Sequence, residues 1–232
     1  MVSCVLPTHI RRPMLRDAIE SYVRQDWADK ELVVIDDAQQ CCRDWFEELV
    51  PASELNYVYL ASPAKNLAVK RNIATQVSRG EIIVHFDSDD WSAPTRVTHQ
   101  VTALIESGLE VGGYHSAMFW DEVKKCATRY QGAPDYAWGP TFCYRKEYAV
   151  RNPWPENVAF AEDGIFFAKA RTSKAISNRS AIDGTGQMVC RLHGENHRSV
   201  GLHIPTESLP QGFLELINAK ELSRPDLHSV SV

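Results

Sequence analysis

No apolar stretch in this chain approaches the roughly 20 residues that a membrane-spanning helix requires, so no transmembrane segment is expected. Cysteine is sparse and scattered. The six at positions 4, 41, 42, 126, 143 and 190 never form a C-x-x-C pair, which argues against a zinc site or a dithiol redox centre. Cys4 falls inside an apolar strand pattern and reads as core. There is no cationic excess: the net charge of −5 gives no general attraction to nucleic acid or to an acidic membrane. The acid excess is confined to residues 1–90, with 10 Lys/Arg against 15 Asp/Glu, while the remainder balances at 15 against 15. The pairs Lys124-Lys125 and Arg145-Lys146 read as solvated surface. Neither an internal repeat nor a linker rich in Pro, Gly and Ser divides the chain, so one domain over residues 1–232 is expected. Strand-like sequence begins at Val2 with no signal-peptide pattern before it. The expected location is cytoplasmic, with peripheral attachment to a membrane left open.

What is present is a run of alternating strand-like and helix-like segments, with a hydrophobic content of 44% that is ordinary for a globular protein. Val2–Leu6, Glu31–Ile35, Asn56–Leu60 and Ile82–Phe86 are short and β-branched, as buried strands are. Between them, Arg12–Arg24 and Leu67–Ser78 carry apolar residues at helical spacing, and Trp45–Val50 predicts a short helix. Gly80 is placed to end the second long helix. Repeated βα units imply an α/β fold: a mostly parallel, Rossmann-like sheet with helices on both faces. Further on, Thr95–Glu106 predicts a helix stopped by Gly108. Glu110–Tyr130 predicts strands or a hairpin, and Gly132–Pro155 an ordered, aromatic-rich loop. Ala161–Thr172 predicts a helix, Gln187–Leu192 a strand, and Thr206–Lys220 a last helix before a frayed tail.

The most informative four residues are Asp87-Ser88-Asp89-Asp90, directly after a strand. They fall at its carboxyl edge, where open α/β sheets bind ligands. Three carboxylates so close repel one another, and a divalent cation relieves the repulsion. Mg²⁺ or Mn²⁺ held by one or two carboxylates keeps coordination sites for phosphate oxygens. An acidic turn that only caps the helix beginning near Pro94 is the competing reading.

The order of segments carries a resemblance. Val2-Ser3-Cys4-Val5-Leu6-Pro7-Thr8, then Glu31-Leu32-Val33-Val34-Ile35-Asp36-Asp37, then Lys70-Arg71-Asn72-Ile73-Ala74, then Gly80 through Asp90 together resemble family 2 glycosyltransferases. The resemblance is strong over residues 2–100 and looser to about residue 200. It implies a GT-A fold, a UDP-sugar donor, Mn²⁺ or Mg²⁺, and inversion at the anomeric carbon. It also implies a nucleotide-sugar half at about 1–100, an acceptor and catalytic half at about 101–205, and a C-terminal helix and tail at 206–232.

Site roles follow from the resemblance and the residue chemistry. Pro7 and Thr8 are expected where the base docks. His9 stands where many relatives have an aromatic residue that stacks on the base. Asp37 is expected to accept a uracil N3–H, with helix capping as its alternative. Lys70 and Arg71 are expected to neutralise the diphosphate, Arg71 being the better suited to bidentate contact. Asn66 is a further nucleotide contact. Asp87 and Asp89 match the D-x-D pair, and Asp90 is adjacent and able to take over one role, so metal and ribose contacts are shared among the three. The pair Glu162-Asp163 stands where the family carries its Glu-Asp. There Asp163 is implied as general base and Glu162 as acceptor positioner, with a dipole-friendly helix start as the alternative. Late in the chain, His193 is expected to complete the metal sphere, with His197 second, and Arg191 to contact phosphate. Trp91, Trp120, Tyr136, Trp138 and Trp154 are candidates to line an acceptor groove, Trp138 foremost.

The expected activity is therefore transfer of a sugar from a UDP-sugar to an acceptor hydroxyl, most often on a surface glycan. One rival is a virus-encoded enzyme acting on hydroxymethylated DNA bases, for which the net charge supplies no basic face. Others are a nucleotidyltransferase, which would release pyrophosphate, and a catalytically inactive sugar- or nucleotide-binding module.

Overall fold

The computed structural model describes residues 1–9, 13–133, 135–158, 161–170, 179–193 and 201–222. In chain order its elements are β1 (Val2–Thr8), α1 (Pro13–Val23), β2 (Lys30–Asp36), α2 (Arg43–Glu47), β3 (Leu55–Tyr59), α3 (Leu67–Val77) and β4 (Ile82–His85). There follow β5 (Trp91–Ser92), α4 (Arg96–Ser107), β6 (Val111–Tyr114), β7 (Ser116–Asp121), β8 (Cys126–Gln131), β9 (Cys143–Arg145) and α5 (Lys146–Arg151). The chain continues through α6 (Glu162–Lys169), β10 (Arg179–Ile182), β11 (Met188–Leu192), β12 (Leu202–Ile204) and α7 (Gln211–Leu222).

The main sheet has the order β10-β6-β9-β4-β1-β2-β3. β1 to β4 are mutually parallel where they pair, and β9 runs antiparallel between β4 and β6. Side chains alternate across this sheet, and the alternation sorts the helices. Cys4, Leu6, Leu32, Val34 and Val84 pack with Leu15, Ile19 and Tyr22 of α1, Phe46 of α2 and Val97, Val101 and Leu104 of α4. Val5, Val33, Ile35 and Ile83 face the other way, onto Ala68 and Ala74 of α3, Tyr148 of α5 and Phe166 and Phe167 of α6. Each such fully buried side chain contributes about 1.5–3 kcal/mol. These two layers on one parallel-rich sheet are the expected α/β architecture.

A second, five-stranded sheet of order β12-β8-β7-β11-β5 packs under α7 through Trp91, Trp120, Val189, Leu209 and Phe213. Its β7–β8 hairpin matches the alternation read over residues 110–130. Gly108, at φ 65°, caps α4 as expected.

Two expectations need correction. Gly80 does not end α3. That helix stops at Ser78, whose hydroxyl and N–H both donate to the Ala74 carbonyl. Gly80 instead presses on β1, where a Cβ would lie 2.7 Å from both the N and the Oγ of Ser3. The stretch 132–155 is not only loop. It contains β9 in the heart of the main sheet, and α5. Three residues of strand are too few to show a period of two, and the surrounding aromatics concealed them. No helix among the described residues is long and apolar enough to cross a membrane.

Candidate active site

β4 delivers the acidic turn to the carboxyl edge of the sheet. One ligand oxygen each from Asp87, Asp89 and Asp90 lies within 4.8 Å of the others. Desolvation pushes the Asp87 carboxyl up to about 6, with Arg71 pulling against the rise and Asp89 adding to it. Asp90 is pushed well above its ordinary value by burial and by the charges of Asp89 and Asp87, although the Arg191 N–H donates to its Oδ1 at 3.0 Å. The His193 imidazole arrives from 104 residues downstream, with Nε2 2.8 Å from Asp89 Oδ2. Three hard oxygen donors fit Mn²⁺ or Mg²⁺, with the imidazole held against one of them, and a cation would relieve the mutual repulsion that adds to burial in raising the carboxyls.

Beneath the turn lies Arg96, fully buried, a residue that sequence reasoning passed over. Its guanidinium sits over the Phe86 ring and donates to Ser92 Oγ and to the carbonyls of His85 and Pro140. A buried cation there offsets part of the aspartate charge, and its field reaches Asp87 and Asp90. A signal existed: Arg96 and Gln100 lie one turn apart beside Val97 and Val101, on the apolar stripe of α4.

Arg71 and Glu162 meet across 91 residues, Nη1 to Oε1 at 3.3 Å. The Arg71 guanidinium lies 4.4 Å from the Trp154 ring centroid. Trp154 in turn stacks on Phe166 of α6, with ring centroids 4.0 Å apart and an interplanar angle of 5°. Glu162 opens α6 directly after Ala161, whose φ of 63° is rare for a residue with a side chain. Asp163 follows and rests against Gly139, where a Cβ would lie 2.8 Å from its own Cβ and 2.9 Å from its Oδ2. The same carboxylate raises the pKa of Tyr136, after the larger effect of burial.

A third group gathers at the ends of β1 and β2. Asp37 is buried; its Oδ1 accepts from Lys70 Nζ and stands 2.8 Å from His9 Nδ1, while its Oδ2 accepts the Ala64 N–H at 2.8 Å. Burial alone would raise Asp37, but the bonds from Lys70, Ala64 and His9 outweigh it and hold it below the ordinary carboxylate value. Lys70 also donates to the Thr8 carbonyl at 2.8 Å. The expected base-end residues Thr8, His9 and Asp37 are thus brought together at the strand ends, with Pro7 beside them in β1. Lys70, expected on the diphosphate, is tied into the same cluster.

Other candidates are placed differently. Asn66 caps α3, its Oδ1 accepting from Val69 N at 3.2 Å, and donates to the Glu156 carbonyl. The buried Arg191 guanidinium donates to Asp17 Oδ2 at 2.6 Å, lies 3.8 Å from Glu122 and 5.3 Å from the Phe213 ring centroid. His197 falls outside the described residues. Of the aromatics, Trp91 and Trp120 pack on Phe213, and Trp154 is interior. Trp138 is half-buried, with Tyr130 at 4.8 Å, Phe119 at 5.9 Å and Tyr136 at 6.3 Å around its ring. His85, at the end of β4, is held well below its ordinary pKa by burial and by Arg71 and Arg96, and so is neutral.

With this geometry in place, comparison with known proteins identifies the family. Residues 3–161 match the model of glycosyl transferase family 2. The chain belongs to that family. Among its relatives is the poly(ribitol-phosphate) β-N-acetylglucosaminyltransferase TarS of Staphylococcus aureus, 26% identical over a 247-residue alignment that covers 97% of this chain and 41% of TarS. The crystal structure of TarS residues 1–349 in complex with UDP-GlcNAc superposes with a TM-score of 0.61 at 20% identity, covering 96% of this chain and 66% of that one. The mannosyltransferase PcManGT of Pyrobaculum calidifontis, in complex with GDP-Man and Mn²⁺, gives 0.60 at 16% identity, covering 82% and 56%. The fold is therefore GT-A. The chain spans less than half the length of the curated relatives it matches.

Proposed function

We propose that this chain is a metal-dependent, inverting glycosyltransferase domain that moves a sugar from a UDP-sugar to a hydroxyl of a glycan. The observation that carries the reading is the convergence of Asp87, Asp89 and Asp90, one ligand oxygen of each within 4.8 Å of the others, with His193 drawn onto Asp89 from another sheet. The UDP-GlcNAc complex of TarS makes that nucleotide sugar the first donor to test.

The base end of the donor is assigned to Pro7, Thr8, His9 and Asp37. A carboxylate offers about four acceptor positions. Three are filled by Lys70, His9 and Ala64, which leaves one for a uracil N–H. Arg71 is assigned to the diphosphate: its guanidinium, held over Trp154 and against Glu162, is the cation that acts most strongly on the Asp87 carboxyl. Asp87, Asp89, Asp90 and His193 would hold Mn²⁺ or Mg²⁺. That ion supplies Lewis-acid stabilisation of the departing UDP.

Asp163 is assigned as the general base. It accepts the acceptor hydroxyl proton as the oxygen bonds to the anomeric carbon, and the bond to the β-phosphate oxygen breaks with its electron pair leaving on UDP. A single displacement of this kind inverts the anomeric centre. Glu162 positions the acceptor, and the exposed Tyr136 ring, whose hydroxyl feels the Asp163 charge, offers a face on which a sugar ring stacks. The setting in this reading is cytoplasmic or membrane-peripheral.

The test is UDP release from a panel of UDP-sugars, with and without Mn²⁺. Metal-dependent hydrolysis of one sugar fixes the donor. Absence of nucleotide-sugar binding at every metal concentration overturns the assignment.

A further inference from the structure

We propose that His85 and Gly139 are positioning residues for the base: together they form a seat that fixes the Asp163 carboxylate relative to the acidic turn. The inference rests on the reading of Asp163 as the base. It adds residues to which neither the family match nor the comparisons assign a role.

The seat can be followed bond by bond. Asp163 lies so close to Gly139 that any side chain there would meet it, with a Cβ 2.8 Å from the Asp163 Cβ, 2.9 Å from Oδ2 and 3.2 Å from Cγ. Close approach of this kind needs the missing Cβ of glycine. Gly139 is held in turn. Its carbonyl stands 2.9 Å from His85 Nδ1. A carbonyl only accepts, so Nδ1 carries the proton and donates. The other ring nitrogen, 3.1 Å from the Tyr144 hydroxyl, then accepts from it. The tautomer and ring orientation of His85 are thereby fixed from both sides. Phe142 and Trp154 close over the ring, at 5.9 and 5.2 Å between centroids.

The neighbouring residues of this 3-10 turn, Gly139–Thr141, are pinned as well. Arg96 Nη2 donates to both the His85 and the Pro140 carbonyls, and Gln100 donates to the Thr141 carbonyl. The consequence lies in the position of His85 on β4, two residues before Asp87. One rigid strand end carries the group that supports the seat and the carboxylates assigned to the donor. The distance between base and leaving group is thus set by packed interior groups, and the exposed start of α6 is registered against them. A misplacement of about 1 Å in such a constellation costs about 10²-fold in rate.

The experiment uses the whole chain with Mn²⁺, UDP-GlcNAc hydrolysis as the rate readout, UDP binding by calorimetry, and thermal melting. Asn places an amide N–H near the position of Nδ1, whereas Leu removes the donor. His85→Leu is expected to lower the hydrolysis kcat by about 10²-fold with the UDP Kd unchanged, and His85→Asn to restore most of the rate. Gly139→Ala, at the start of the 3-10 turn Gly139–Thr141, should lower kcat in the same way and gives an independent route if His85→Leu does not fold. Equal rates for the Leu and Asn variants, a loss of UDP affinity parallel to the loss of rate, or a fully active Gly139→Ala would each overturn the proposal. Asp163→Asn is run beside them. Full activity in that variant refutes the base assignment itself, separately from any result at His85.

Discussion

His193 Nε2 and Asp89 Oδ2 stand 2.8 Å apart, joining the end of β11 to the turn after β4. In the proposed site this imidazole anchors a carboxylate assigned to the cation. His193→Ala is expected to raise the Mn²⁺ concentration for half-maximal activity by about 10- to 100-fold. Titration of UDP release against Mn²⁺ checks this, and an unchanged half-maximum would remove His193 from the site.

Arg71→Lys keeps the charge but loses both the flat contact with Trp154 and the second guanidinium edge. A hydrogen bond to a charged group contributes about 1.5–3 kcal/mol. UDP affinity should therefore fall by about tenfold or more, with the melting temperature little changed. Retention of wild-type affinity would show that Arg71 does not touch the diphosphate.

Arg191→Met separates two roles for that residue. The buried guanidinium is engaged by Asp17, which also accepts from Lys220 of α7. Breaking a buried pair by removing one partner costs about 3–5 kcal/mol. Chemical denaturation should show a loss of that order, while calorimetry should find UDP binding intact. Loss of UDP affinity at full stability would return Arg191 to the phosphate.

Glu31 predicts the acid limb of stability. It is fully buried and accepts from Ser3 Oγ at 2.6 Å and from the backbone N–H and Nε of Arg79. Burial alone would raise its pKa, but these bonds outweigh burial and hold it below the ordinary value of 4.5. A carboxyl held low in the folded state stabilises the fold fully above its unfolded pKa and loses that contribution as pH falls through the folded one. Denaturation midpoints should therefore drop below pH 4.5, and Glu31→Gln should be less stable at pH 7 with a shallower acid decline. An equally steep decline in the variant would assign the acid sensitivity elsewhere.

The parallel core and the position of the acidic turn were legible because their signals are local. β1, β2 and β4 each carry an apolar run that ends within a residue or two of the polar group it delivers, Thr8, Asp37 or Asp87. The second sheet was less so. β5 and β12 have only two and three residues, so neither length nor periodicity separates them from loop. The burial of Arg96, Lys70 and Arg191 was not legible, for one reason: sequence shows a charge but not the partner that permits its burial. Asp37, Asp17 and the carbonyls of His85 and Pro140 supply those partners from distant segments.

The antiparallel β9, lodged between β4 and β6, has a consequence for how the chain is made. Until residues 143–145 emerge from the ribosome, the outer flank of β4 presents unpaired N–H and C=O groups, an open template for association with another chain. A fragment ending near residue 110 would hold β1 to β5 and still leave that flank bare. Such a truncation should aggregate, and nascent chains of that length would depend on chaperones to stay soluble.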